Sequence, residues 1–327
     1  MKLVRFRGDD DQPALGVLVA PETVLDLGRA ATARREVLHP ALSDMQALIE
    51  SGPEGLDLVR RLVEASPDEA LLPSGGVTLL APLPRPSKIR DFSCFEQHLR
   101  QAAEGAARTM AAKADNPSAA FERVKRELGL DNIPNAGWRK VPAYYYADVG
   151  FVAGPDEPVV WPAYSTWIDY ELELAAVIGK HGKDISREQA LDHVFGFTIF
   201  NDLSARDAQL EAMATGLGVA KGKDFDGSTV LGPCLVTSDE IEDVYDLTMI
   251  ARLNAEEVGR GNTRDMFWRF EDCIEYASRS QTIHPGELFC SGTVGNGSAV
   301  ELGITMNRGD LVELEIQPIG VLRTRIL

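Results

Sequence analysis

Cysteine is scarce in this 327-residue chain: Cys94, Cys234, Cys273 and Cys290 stand far apart, with no C-x-x-C pair among them. That spacing signals neither a zinc site nor a disulfide framework and fits a reduced compartment, so a cytoplasmic location is expected. Positive charge is short as well. The 33 Lys and Arg residues face 50 Asp and Glu, a formal charge of -17. A surface of that sign repels phosphate backbones and anionic lipid, which argues against nucleic-acid and membrane partners. No apolar run reaches the roughly 18 residues of a membrane span. The N-terminus Met1-Lys2-Leu3-Val4-Arg5-Phe6-Arg7 soon turns polar, so no signal-peptide core is expected. Internal repeats and low-complexity tracts are missing too. The glycines from Gly216 to Gly222 lack both the Lys-Ser/Thr ending of a P-loop and a strand-to-helix context, so nucleotide binding is a poor reading.

What is present is ordinary hydrophobic content, 44%, and enough length for a large core and two domains. Residues 2–6 and 15–19 read as a hairpin around the polar turn 8–13, followed by helical patterns at 45–49 and 56–63. A linker-like Pro73-Ser74-Gly75-Gly76 and the proline-spaced 82–86 mark a boundary near residue 80. The expected organisation is a small N-terminal β-rich domain, 1–80, and a larger one, 81–327. The larger one opens with two helices poor in large apolar residues, which predicts a lid-like surface excursion at about 96–130. Strands dominate after Ala143. Ser186-Arg187-Glu188-Gln189 predicts a capping box and a helix to about His193, a second helix is expected over 264–277, and 311–326 forms a closing hairpin. Strands outnumber crossover helices, which predicts an α+β, β-rich fold rather than a doubly wound parallel sheet.

The densest chemistry lies in Asp169-Tyr170-Glu171-Leu172-Glu173-Leu174. In an extended strand alternate side chains share a face, so Asp169, Glu171 and Glu173 point one way. Clustered carboxylates repel unless something cationic sits among them, and a hard divalent ion with oxygen ligands is the usual solution. Glu171, Glu173 and Asp202, at the end of the predicted strand 197–200, are the candidate ligands for a magnesium-like ion. His98 stands out among five histidines because Asp91 and Glu96 are near it in sequence, and either offers a carboxylate to orient a water-activating base.

Four blocks, Asp169 to Glu173, Asn201 to Asp207, Lys223 to Gly227 and Ser291 to Gly295, resemble the fumarylacetoacetate hydrolase family in order and spacing. The resemblance covers roughly residues 82–327 and implies a mixed β-sandwich roll, a homodimer and a divalent cation, usually Mg2+ and sometimes Mn2+ or Ca2+. It implies Glu171, Glu173 and Asp202 as ligands, with Asp169 outside them. His98 would activate water with Asp91 behind it, Glu96 remaining a rival orienter. Arg206, Gln209 and Lys223 would engage substrate oxygens, with Lys221 a competitor for the last role. Thr293 would sit near the substrate carboxylate, Glu301 would help place the attacking water, and Tyr145 and Tyr146 would face substrate beside Tyr144. The activity implied is cleavage of a carbon–carbon bond in a 1,3-dicarbonyl or acylpyruvate-type acid through an enolate. Decarboxylation, isomerisation or hydration of a related 2-oxo acid is the alternative, and a noncatalytic small-molecule-binding protein of the same fold is the third.

Overall fold

The computed structural model describes residues 1–8, 11–112 and 114–327. Asp9 and Asp10, in the expected hairpin turn, and Lys113, at the end of the expected first helix of the excursion, lie outside them. Twelve strands among the described residues form the largest sheet. Its order runs Leu71–Pro73, Thr23–Asp26, Pro13–Ala20, Lys2–Arg7, Thr229–Thr237, Val194–Asp202, Leu172–Ile178, Leu288–Cys290, Ile89–Phe92, Tyr144–Tyr146. Pairing is antiparallel except between Leu288–Cys290 and Ile89–Phe92 and where Val152–Ala153 joins Thr229–Thr237. A second, four-stranded antiparallel sheet is ordered Glu256–Asn262, Thr248–Leu253, Leu311–Ile316, Gly320–Arg325.

The strand Leu172–Ile178 is buried on both faces, and its alternation sorts side chains between two cores. Leu172, Leu174, Ala176 and Ile178 join Leu314, Ile316 and Leu322 of the four-stranded sheet. Ala175 and Val177 join Leu48, Leu58 and Leu62 from the helices Met45–Glu50 and Gly52–Ala65. A sheet covered by a second sheet on one side and by helices on the other is the α+β, β-rich arrangement expected from the pattern. Residues 1–80 bring their own helices but not a separate sheet, because Lys2–Arg7 pairs with both Thr229–Thr237 and Thr78–Leu80.

Some local expectations are corrected. Ser186 makes no side-chain cap, and Arg187–His193 is a 3-10 helix. The helix expected at 264 begins at Phe270, because Phe267 and Trp268 are drawn instead into an aromatic cluster with Trp138. The linker-like 73–76 is the end of a strand and a 3-10 turn. The excursion forms the helices Glu96–Ala111 and Pro117–Glu127. The first is more than a surface feature: a Cβ on Gly105 would stand 2.0 Å from the Val300 carbonyl oxygen, so glycine lets this helix seat against the short helix Ala299–Leu302.

Candidate active site

Glu171 and Glu173 continue the face of Ala175 and Val177 past the end of the apolar core, into a cavity of about 470 Å³. The ladder is interrupted between Asp169 and Leu172, where Asn201 Oδ1 accepts the Glu171 N–H at 3.1 Å and fixes the backbone. Val194–Asp202 brings Asp202 alongside, and its amide donates to the Glu171 carbonyl at 3.2 Å. Asp169, Glu171, Glu173 and Asp202 are all buried.

One side of this cluster is neutralised by cations. Arg206, at the start of the helix Arg206–Ala214, donates from Nε and Nη2 to Asp169 Oδ2 at 2.8 and 2.6 Å, and Nη2 lies 2.7 Å from Glu171 Oε1. Asp169 also accepts the Ala299 and Val300 amides at 2.8 and 3.2 Å, which ties Arg206 to the helix that carries Glu301. Lys223 Nζ reaches Glu171 Oε2 at 2.5 Å and also pairs with Asp202 Oδ2. Burial alone would raise the Glu171 pKa, but Lys223, Arg206 and His98 together hold it well below the ordinary carboxylate range. The two cations are themselves raised above their usual values: burial opposes their charge, and the paired carboxylates outweigh it.

On the other side, Asp91 and Glu173 form no ion pair with Lys or Arg among the described residues, and Asp202 reaches across from Lys223. One carboxylate oxygen from each of Asp91, Glu173 and Asp202 falls within 4.8 Å of the other two. Burial and mutual repulsion push Asp91 and Glu173 well above the ordinary carboxylate range, and burial raises Asp202 in spite of Lys223. Asp91 Oδ1 and Asp202 Oδ1 are buried without a hydrogen-bond partner. The remaining contacts are donors that hold the oxygens in place. Gly292 N–H and Thr293 Oγ1 bind Glu173 at 3.1 and 3.3 Å, and Tyr145 Oη donates to Asp202 Oδ2 at 2.6 Å. Buried carboxyl oxygens, two of them orphaned, with neither nitrogen nor sulfur among them, are a donor set suited to a hard divalent cation. Asp91, Glu173 and Asp202 can hold one.

His98, in the first turn of Glu96–Ala111, looks onto the paired side. Its Nε2 is 3.6 Å from Glu171 Oε1 and its Nδ1 is 3.2 Å from Glu301 Oε1. The ring is turned so that the second approach is an ion-pair distance and not a directed hydrogen bond. Glu301 Oε2 accepts the Ser298 N–H and Oγ at 2.8 and 2.9 Å, and Oε1, which faces the imidazole, also accepts the Asn296 N–H at 3.2 Å.

Most residues expected at the site from the sequence are brought together here. Glu171 stands with the cations, and Asp91 takes its place in the unpaired carboxylate group. Among the described residues neither Asp91 nor Glu96 bonds to His98. Glu96 faces outward and is taken by Arg100 and Arg139, at 2.7 and 2.6 Å. Tyr146 is 55% exposed and does not line the cavity, because on this edge strand its side chain alternates away from Tyr145, against the Arg90 guanidinium. Gln209 accepts from Arg206 Nη1 at 3.0 Å and borders the cavity. Lys221 is exposed beside Asp224, whereas Lys223 is buried. Glu301, expected beside the attacking water, lies in the structure against His98 Nδ1, a pairing the sequence reading did not foresee. Its signal was local: Ser298-Ala299-Val300-Glu301 has the capping-box spacing, and that box forms and fixes the Glu301 side chain.

The family model described as fumarylacetoacetate (FAA) hydrolase C-terminal matches residues 89–327. Human mitochondrial oxaloacetate tautomerase FAHD2A is 31% identical over 331 residues, covering 100% of this chain and 92% of the relative. The 2,4-didehydro-3-deoxy-L-rhamnonate hydrolase of Sphingomonas sp. (strain SKA58) is 35% identical over 188 residues, covering 57% of this chain and 65% of the relative. Among solved structures, a fumarylacetoacetate hydrolase from Exiguobacterium antarcticum aligns with TM-score 0.72 and 25% identity, covering 100% of this chain and 99% of that one.

Proposed function

The chain belongs to the fumarylacetoacetate hydrolase family, and from that premise we propose that it hydrolyses a carbon–carbon bond in a 2,4-dioxo acid of the acylpyruvate type. The observation that carries this reading is the His98–Glu301 pair at the edge of the cation-rich side of the cavity, a base with a carboxylate behind it. His98 takes a proton from water, and Glu301 stabilises the imidazolium. The resulting hydroxide adds to the carbonyl remote from the carboxylate. The bond between that carbon and the neighbouring methylene breaks, and its electron pair leaves as the enolate of pyruvate. The imidazolium returns its proton to the former methylene carbon, giving pyruvate and a carboxylic acid. Lys223 and Arg206 hold negative charge on the oxygens as it develops. Asp91, Glu173 and Asp202 would hold a divalent ion, which we assign as Mg2+, and the chemistry it would supply there is Lewis-acid stabilisation of negative charge.

The full-length similarity to an oxaloacetate tautomerase favours a second reading, in which a proton moves between carbon and oxygen of a 2-oxo-acid enolate and no carbon–carbon bond breaks. A panel of acylpyruvates, oxaloacetate and fumarylacetoacetate, read by product mass with and without magnesium, separates the two. On the first reading His98→Ala lowers acylpyruvate cleavage by about 10²- to 10⁴-fold. Unchanged cleavage by this variant rejects His98 as the base, and tautomerisation without cleavage across the panel rejects hydrolysis.

A further inference from the structure

Two helices each place a polar residue at the head of the cavity and then carry apolar side chains along the same face. On Glu96–Ala111, His98 is followed by Leu99, Ala102, Ala103 and Ala106, the last four at the i, i+3, i+4, i+7 spacing of one helix face. On Arg206–Ala214, Arg206 is followed at the same spacing by Leu210 and Met213. All six apolar residues line the one cavity that also holds Glu171, Glu173 and Lys223. The lobe they wall runs about 10 Å along the first helix, from residue 99 to 106. Three alanines leave width there that larger side chains would fill. Among the described residues the lining's only Arg and Lys are Arg206 and Lys223, both at the polar head beside Glu171, so the apolar lobe itself carries no cation to pair with a second carboxylate.

We infer that this lobe binds an uncharged hydrocarbon acyl tail, so that the substrate is a 2-oxo acid with a medium-length aliphatic acyl group and not a dicarboxylate. The inference deepens the proposed hydrolysis and rests on it for the reacting head group. The head lies against the carboxylates, cations and His98, and the tail follows the two helices outward. Burying a tail there draws on hydrophobic transfer alone, which sets the expected size of the effect.

The test uses the full chain with magnesium chloride and two homologous series. Linear acylpyruvates from acetyl to octanoyl report kcat/KM, and unreactive 2-oxo alkanoates from pyruvate to 2-oxodecanoate report Kd by calorimetry. Both are expected to improve by about 3- to 4-fold per methylene over the first several carbons. Ala103→Phe, which fills the lobe, is expected to lower the octanoyl-to-acetyl ratio of kcat/KM at least about tenfold. Met213→Ser, at the exposed rim, is expected to lower it in the same direction and serves if the first variant does not fold. Flat series in both measurements overturn the inference, as does a preference for fumarylpyruvate over the octanoyl compound. A change of oligomeric state in both variants, with chain-length dependence intact, also overturns it and makes the lobe a contact between copies of the chain. If no acylpyruvate is cleaved while 2-oxo alkanoates still bind more tightly with length, the hydrolysis reading fails and the lobe assignment stands.

Discussion

Glu171 and Glu173 stand two residues apart on one face of one strand, and their surroundings are opposite. Glu171 has a lysine, an arginine and a histidine within ion-pair distance, and its pKa is depressed. Glu173 has two neutral donors and the carboxylate of Asp91, and its pKa is raised. Asp202 joins the two halves, with Oδ2 on Lys223 and Tyr145 and Oδ1 left free on the other side. The contrast shows that alternation decides which way a carboxylate points but not what it does. Neighbours delivered from residues 206 and 223 pair one glutamate with side-chain cations, and Asp91, delivered from another strand, sets the other in a carboxylate group that could hold a metal ion.

The comparison is broken most forcefully at the paired side. Glu171→Gln leaves Lys223 and Arg206 short of a counter-charge in a buried site and is expected to cost about 3–5 kcal/mol of stability by denaturant titration. The folded-state pKa of Glu171 is depressed, so its contribution is complete above the unfolded carboxylate range and is lost only as pH falls below that range. The deficit is therefore expected to be equal at pH 6 and pH 8, and a deficit that vanishes at pH 6 rejects the pairing.

Glu173→Gln sharpens the other side. Wild type is expected to gain about 2.7 kcal/mol from magnesium at a hundredfold excess over Kd, and the variant to lose most of that gain. Without metal the variant is expected to be at least as stable as wild type, because one of three repelling carboxylates is gone. The sign with pH follows from the raised pKa: stability from Glu173 is present below the unfolded carboxylate range and is lost as pH rises through the folded value. The advantage of metal-free Glu173→Gln over metal-free wild type should therefore grow from pH 5 to pH 8. A shrinking advantage contradicts the repulsion.

The smallest effect is expected at Glu96. It is a partly exposed carboxylate paired with Arg100 and Arg139, so Glu96→Gln should change stability by about 0–1 kcal/mol and leave kcat/KM unaltered. A loss of activity on the scale of His98→Ala would return Glu96 to the role of orienter.

Much of this molecule is legible without coordinates because the signals are local. Alternation in 169–178 identifies the strand and its acidic face, and the closing hairpin follows from two apolar runs around a proline turn. The excursion helices are legible too, but not that the first one walls the cavity. Its alanines read as poverty of core material, and only their packing opposite Leu210 and Met213 turns that poverty into space. The partner of His98 was sought among residues adjacent in sequence. The structure supplies it from 203 residues away, at Glu301, through a capping box whose local purpose is to start a four-residue helix.

The sequence by itself determined the β-rich character, the family blocks and the acidic strand, because periods of two and short motifs are properties of neighbouring residues. Tertiary structure alone decided which carboxylates are paired with lysine and arginine and which are grouped without such a pair. Charge pairing in a buried site depends on a few ångströms between side chains from distant strands, and no spacing along the chain encodes that distance.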